Sequence, residues 1–334
     1  DFDEDGVNEI IVGGYEASPE WGRARILSYD AHLGTYVEEH NWYVSGGSYH
    51  APSGSTVLDL DEDGDLEFVV SWAYSGADGI YAYDWNGIAL TQLDYYACGF
   101  VFDVYSCDYD DDGHLEVLIA NDPGRGSTPY HVVAFGWDKV NNKFVMETLW
   151  RLGTYTWECP MIWSGDVDND GLTEVVACIS DSYYSTAGTW ALHWDSGIEE
   201  WVAELVYTAL IGNGTHYGVA VGDVDGDGTL EIGIGNNIAG YVGAAAVLVE
   251  WDGMTYKKVW EGNWREEECV IEAVAIGDAD NDGNNEFCAG GGDIHIISWT
   301  GSAYTEEATI TETLGLLSGV VIGDCDSDGK NELK

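Results

Sequence analysis

The chain is short of positive charge. Its 334 residues include 11 Lys+Arg against 61 Asp+Glu, a formal net charge of −50. So acidic a surface repels a phosphate polymer over most of its extent, which excludes nucleic acid as an ordinary partner. It also argues against anionic membrane surfaces and makes an acidic polysaccharide a poor substrate. No run of about 18 apolar residues is present, so no membrane span is expected. The G-x-S-x-G, H-E-x-x-H, G-x-G-x-x-G and C-x-x-C signatures are absent as well. No enzyme constellation stands out, and the chain is expected not to be an enzyme. Long Ala/Leu/Lys/Glu stretches and convincing amphipathic helices are also missing. With 44 Gly and 13% aromatic residues, the composition leans to β-structure, and 45% hydrophobic residues are enough for a real core.

What the chain does have is a repeat. The pattern D-x-D-x-D-G-x-x-E occurs seven times, starting at Asp1, Asp59, Asp108, Asp166, Asp223, Asp278 and Asp324. The starts are 58, 49, 58, 57, 55 and 46 residues apart, and every copy keeps three Asp, one Gly and one Glu. Alternate Asp at positions 1, 3 and 5 converge on one side of a tight loop. Gly at position 6 permits the positive φ that turns the chain. The carbonyl of position 7 and the Glu at position 9 then complete an oxygen cage. Hard, charged oxygen ligands in an adaptable loop suit Ca²⁺, whereas Mg²⁺ holds its waters and a strict octahedron. Four carboxylates this close repel one another strongly without a cation. Seven such ions would bring the net charge only to −36, so the surface stays acidic.

The loop resembles that of an EF-hand, but its flanks are not helical. Short apolar runs precede it (55–58, 100–105, 217–221, 271–276, 318–322) and follow it (10–12, 68–70, 117–120, 175–179, 232–234). Runs of this length bounded by Gly and Asp read as buried strands, so the acidic loop is a hairpin turn. A third strand ends in a recurrent aromatic at Trp85, Trp137, Trp194, Trp251 and Trp299, where recurrence in register means packing. Asn86-Gly87, Asp252-Gly253 and Thr300-Gly301 then read as hairpin turns, and a fourth strand follows. Four antiparallel strands in 46–58 residues describe the blade of an all-β propeller, with strands A to D and the acidic loop between A and B. One domain spanning 1–334 is expected.

The chain resembles the FG-GAP/VCBS repeat family, the calcium-bearing propeller repeats of integrin α-subunits and of many secreted microbial proteins. Tyr217-Gly218-Val219-Ala220-Val221-Gly222-Asp223 looks like that family's first strand running into its metal loop. The resemblance implies Ca²⁺ ligands at positions 1, 3, 5, 7 and 9, about six to seven ions in all. The implied sites are Asp1, Asp3, Asp5, Val7 and Glu9; Asp59, Asp61, Asp63, Asp65 and Glu67; Asp108, Asp110, Asp112, His114 and Glu116; Asp166, Asp168, Asp170, Leu172 and Glu174; Asp223, Asp225, Asp227, Thr229 and Glu231; Asp278, Asp280, Asp282, Asn284 and Glu286; and Asp324, Asp326, Asp328, Lys330 and Glu332. Position 7 contributes its backbone carbonyl.

The chain enters inside one acidic loop and stops just after another, as a processed product or fragment does. Six blades are favoured if the A strand at 318–322 closes against the B strand of the first repeat; a fragment would leave seven as the alternative. A–B and C–D turns share one end of each blade. The B–C and D–A connections share the other and vary in length, which marks them as the binding face for a protein or glycan. Candidates there are Trp157, Trp264, His50, His216, Trp72 and Tyr183. The seven Cys cannot all pair within the chain. Sites of moderate affinity stay filled where Ca²⁺ is millimolar, which places the protein outside cells, secreted or on a surface. The expected role is a non-enzymatic propeller in adhesion, surface structure or assembly, with a homo-oligomer or filament as one form of it. A lectin-like propeller is the alternative, and a polysaccharide lyase or hydrolase the third reading.

Overall fold

The computed structural model describes residues 1–17, 20–44, 51–73, 78–124, 129–153, 158–179, 188–208, 215–237, 244–264, 271, 273–311 and 319–334. Among these residues there are strands and turns but no helix. The fold is an all-β propeller of six blades, five of four strands and one of three, each a consecutive antiparallel meander. The three-stranded sheet is β1 (Glu9–Ala17), β2 (Glu20–Asp30) and β3 (Thr35–Trp42). The second is β4 (Ala51–Leu58), β5 (Glu67–Ala73), β6 (Gly79–Trp85) and β7 (Leu90–Tyr96). The third is β8 (Val101–Cys107), β9 (Glu116–Asn121), β10 (Val132–Asp138) and β11 (Lys143–Trp150). The fourth is β12 (Ile162–Gly165), β13 (Glu174–Ile179), β14 (Gly188–Asp195) and β15 (Glu200–Thr208). The fifth is β16 (Thr215–Gly222), β17 (Glu231–Asn237), β18 (Ala244–Trp251) and β19 (Tyr256–Asn263). The sixth is β20 (Ala273–Gly277), β21 (Glu286–Gly290), β22 (Ile294–Trp299) and β23 (Tyr304–Ile310). The last acidic loop joins β24 (Ile322–Gly323) to β25 (Glu332–Leu333) in a two-stranded sheet.

This last hairpin corrects one expectation. Among the described residues, the A strand expected at 318–322 is only Ile322–Gly323, and it pairs within its own hairpin. Ile322 and Gly323 pair with Leu333 and Glu332, and Val321 and Lys334 exchange both backbone hydrogen bonds at 2.9 Å. A partner ten residues away costs far less loop-closure entropy than one at the other end of the chain.

The chain divides into two compact units. One holds residues 1–108, 112–159 and 324–329; the other holds 109–111, 160–323 and 330–334. In the first, Leu58, Val69, Ile80, Val104, Ile119 and Phe135 join the second and third sheets in one buried cluster. Phe2, Ile26, Trp42, Phe68, Trp72 and Tyr83 form another between the first and second. In the second unit, Val176, Val219, Ile232 and Val247 join the fourth and fifth sheets, and Leu248, Ile271 and Phe287 join the fifth and sixth.

The B strands explain their own sequence. β5, β9, β13 and β21 are buried at every residue, so both faces are apolar and the run is continuous rather than alternating. Burying each large side chain there contributes about 1.5–3 kcal/mol. Gly233 in β17 is required by packing: a Cβ there would lie 2.4 Å from the Phe287 ring. The D strands lie at sheet edges, and β15, β19 and β23 are mostly exposed. In all six C–D pairings the D strand carries one residue more than its partner, at Glu39, Leu93, Glu147, Val206, Val259 and Glu307. Such a bulge bends the strand and sharpens its twist.

Candidate metal centre

Seven acidic loops share one backbone geometry. The amide of the position-6 Gly donates to the position-1 Asp in every copy, at 2.8–3.1 Å. Those glycines have φ between 87° and 102°, as the spacing requires. Position 4 is also left-handed throughout: Glu4, Glu62, Asp111, Asn169, Gly226, Asn281 and Ser327 have φ between 56° and 75°. The amide of position 7 donates to the position-5 Asp in the first six loops at 2.8–3.0 Å, which aims that carboxylate across the turn.

Position 2 anchors the loop from below. Phe2, Leu60, Tyr109, Val167, Val224 and Cys325 are all buried. In five loops the position-2 amide donates to the position-9 Glu Oε2, at 2.6–3.0 Å, from Phe2, Leu60, Val167, Val224 and Ala279. The Glu is thereby pulled under the turn; Glu67, Glu116, Glu174, Glu231 and Glu286 are at most 5% exposed.

The result is a cage of carboxylates. Ligand oxygens of Asp1, Asp3, Asp5 and Glu9 lie within 4.8 Å of one another, as do those of the Asp trios of the second to fifth loops. Burial pushes Glu67, Glu231 and Glu286 up to about 7 and Glu174 up to about 8, with the loop's own Asp residues adding to the rise. Burial and the neighbouring carboxylates also raise Asp61, Asp168 and Asp225. The second oxygens of Glu9, Glu174 and Glu231 are buried and accept no hydrogen bond, like Oδ1 of Asp59 and Asp61. A desolvated carboxylate oxygen without a donor costs several kcal/mol unless a cation meets it. The Asp trios, joined in the first loop by Glu9, are an all-oxygen donor set of the kind Ca²⁺ takes. The residues fit the ion.

Position 8 ties neighbouring loops together. Within the first unit, Asn8 donates to the Asp324 carbonyl at 2.7 Å and its amide to Ser327 Oγ at 2.9 Å. Within the second, Asn285 donates to the Asp223 carbonyl at 2.8 Å, and Asn331 to the Asp278 carbonyl at 3.0 Å and, through its amide, to Asn281 at 2.7 Å. Thr173 reaches Asp111 at 3.3 Å. The carbonyls gripped at Asp223, Asp278 and Asp324 belong to position 1, so each bond holds the backbone of a neighbouring cage. At position 7, His114 pairs with Glu62 in the preceding loop, and Lys139 of the turn after β10 pairs with the same Glu62. None of these roles for positions 2, 4 and 8 follows from the spacing of the acidic residues.

The candidates for the opposite end fare differently. Trp72 lies within β5, wholly buried among Phe68, Tyr81 and Tyr83, and presents no ring to a ligand. Trp264 is 9% exposed and stacks on His295 at 4.0 Å, while its Nε1 donates to Glu306 at 3.3 Å. Trp157, His50 and Tyr183 lie outside the described residues, and so does the side chain of His216. The six described cysteines, 98, 107, 159, 178, 288 and 325, are buried thiols, and burial pushes Cys98 and Cys288 up to about 12.

Residues 166–234, from the fourth loop through Ile234 of β17, match the family model of the FG-GAP-like repeat. No curated protein matches the chain. Among solved structures, the Dos1 propeller is similar at a TM-score of 0.56 and 10% identity, over 97% of this chain and 89% of that one. Saccharomyces cerevisiae Sqt1 is similar at a TM-score of 0.54 and 9% identity, over 97% of this chain and 80% of that one. Fold and matched stretch agree: the chain is a β-propeller that carries an FG-GAP-like repeat over residues 166–234.

Proposed function

We propose that this is a calcium-stabilised extracellular propeller that acts without catalysis, through protein–protein contacts in adhesion, surface structure or assembly. The observation that carries the reading is the set of buried carboxylate oxygens without donors in turns of one repeated geometry. When bound, Ca²⁺ supplies the positive charge that the cage lacks. The chain's own residues do the rest. Asp at positions 1, 3 and 5, Glu at 9 and the position-7 carbonyl hold the ion. The buried residue at position 2 fixes the floor of the loop, and the position-6 Gly amide fixes the first Asp. Ions of this affinity stay bound where calcium is millimolar, which favours the outside of a cell. The lectin alternative loses two of its aromatic candidates, since Trp72 and Trp264 are packed inside.

Equilibrium dialysis of the intact chain against Ca²⁺, with Mg²⁺ in excess, tests the reading. Six to seven bound calcium ions per chain are expected. Fewer than two, or equal uptake of both metals, overturns it. A glycan array tests the absence of sugar binding, and selective capture of one glycan class restores the lectin.

A further inference from the structure

The C–D turns carry a second repeated feature that the calcium reading does not use. Each of five turns opens on an Asp or Asn whose side chain accepts two backbone amides, two and three residues on: Asp30, Asn86, Asp138, Asp195 and Asp252, at 2.8–3.3 Å. A side-chain-capped turn of this kind is rigid without a core beneath it. At the tip of each stands one aliphatic residue: Leu33 at 63% exposure, Ile88 at 89%, Val140 at 91%, Ile198 at 59% and Met254 at 86%. Single exposed apolar residues are ordinary. Five at equivalent turns, each held out by the same cap, are a patterned surface.

In an antiparallel meander the C–D and A–B turns share one end of each sheet, so every tip stands beside acidic loops. In the first unit the two touch. A Cβ on Gly87, next to Ile88, would lie 2.6 Å from the Asp3 carboxylate, and Lys139, next to Val140, pairs with Glu62. A cavity of about 380 Å³ opens there, walled by Glu62, Asp112, Asp138 and Glu147 with Trp137 and Lys139. The first two loops hold 11 carboxylates, so two divalent ions still leave seven negative charges beside Ile88 and Val140.

We infer that this turn face docks a basic polypeptide segment whose lysines or arginines meet the acidic loops while its aliphatic side chains cover the tips. The inference rests on the protein–protein role proposed above and names the partner's chemistry. Charge complementarity selects the occupant: the excess of carboxylates repels an anionic surface and attracts a cationic chain. The tips then discriminate among cationic chains by the apolar area they bury.

The test uses the whole chain in calcium at about 0.15 M salt, where long-range attraction is screened. Two synthetic peptides of equal length and charge, one alternating Lys with Leu and one alternating Lys with Ser, are titrated by calorimetry. The Lys/Leu peptide is expected to bind at least about tenfold more tightly. The triple variant Leu33→Ser, Ile88→Ser, Val140→Ser is expected to abolish that preference with an unchanged melting temperature, because these side chains are in solvent. Equal binding of both peptides, or a triple variant that retains the preference, overturns the inference. Calcium-dependent capture by phosphatidylserine vesicles that the triple variant loses, without any peptide preference, overturns it in favour of a lipid surface. An ion count that fails while the peptide preference stands removes the calcium reading alone.

Discussion

The A–B and C–D turns sit at the same end of each blade, and both begin on an Asp in most repeats. They do opposite things with it. In the C–D turn the carboxylate is spent on two local amides, and the loop is complete in itself. In the A–B turn, the Asp at positions 1, 3 and 5 also accept amides, yet at least three carboxylates crowd together and oxygens of Glu9, Glu174 and Glu231 remain buried without a donor. The difference shows that an acidic turn is not a metal site by composition. What prepares the A–B turn for a cation is burial that removes water, with hydrogen bonds that run out before the oxygens do.

Several measurements break or sharpen this contrast. The largest effect is expected from chelation. EDTA should lower the melting temperature by at least about 10 °C, as follows for the proposed ions if the folded loops alone hold them; a scan with and without chelator reads it, and coincident curves would place the two turn types on one footing.

Next comes pH in the chelated protein. Glu67, Glu231 and Glu286 stand at about 7 and Glu174 at about 8, above the ordinary value of 4.5. A carboxyl raised in the folded state holds its proton there while the unfolded chain loses it. Its stabilising contribution is therefore complete below about 4.5 and is lost as pH rises through 7 to 8. Denaturant titrations across pH 4–9 in EDTA should show stability falling through that window. Saturating calcium should remove the fall.

A smaller, local effect is expected from Glu231→Gln. One ion should leave the stoichiometry, with about 2–3 kcal/mol lost in calcium, whereas in EDTA the neutral amide should be no less stable than the carboxyl and should flatten this site's share of the pH dependence; metal analysis and unfolding curves report the two halves. The smallest effect belongs to the other turn. Val140→Ser should change stability by less than about 0.5 kcal/mol in either condition, by the same unfolding curves.

Much of this was legible in the residues. Continuous apolar runs around each acidic loop located β5, β9 and β13 because a strand buried on both faces has no polar face to show. The Gly at position 6 announced its own positive φ. Position 4 did not: Glu4, Asn169 and Ser327 share a left-handed backbone imposed by the hydrogen bonds around them, and their side chains have nothing in common. Position 8 was silent because Asn285 and Asn331 act on a neighbouring loop. Trp72 was misplaced for a different reason. A strand expected to stop at Val70 runs on to Ala73, and three more residues of pairing turn a connection aromatic into a core one. The tips at Ile88 and Met254 were invisible because an aliphatic residue in sequence reads as interior unless its turn is known.

The surplus residue in every D strand has a consequence for how copies of the molecule can meet. An edge strand offers unpaired amides and carbonyls to any strand that lies flat against it. At Glu39, Leu93, Glu147, Val206, Val259 and Glu307 that flatness is interrupted, and the acidic side chains of β3, β15 and β23 repel a copy of themselves. Lateral zipping of one blade margin onto another is therefore disfavoured six times over, which leaves loops at the blade ends to carry whatever assembly this protein enters.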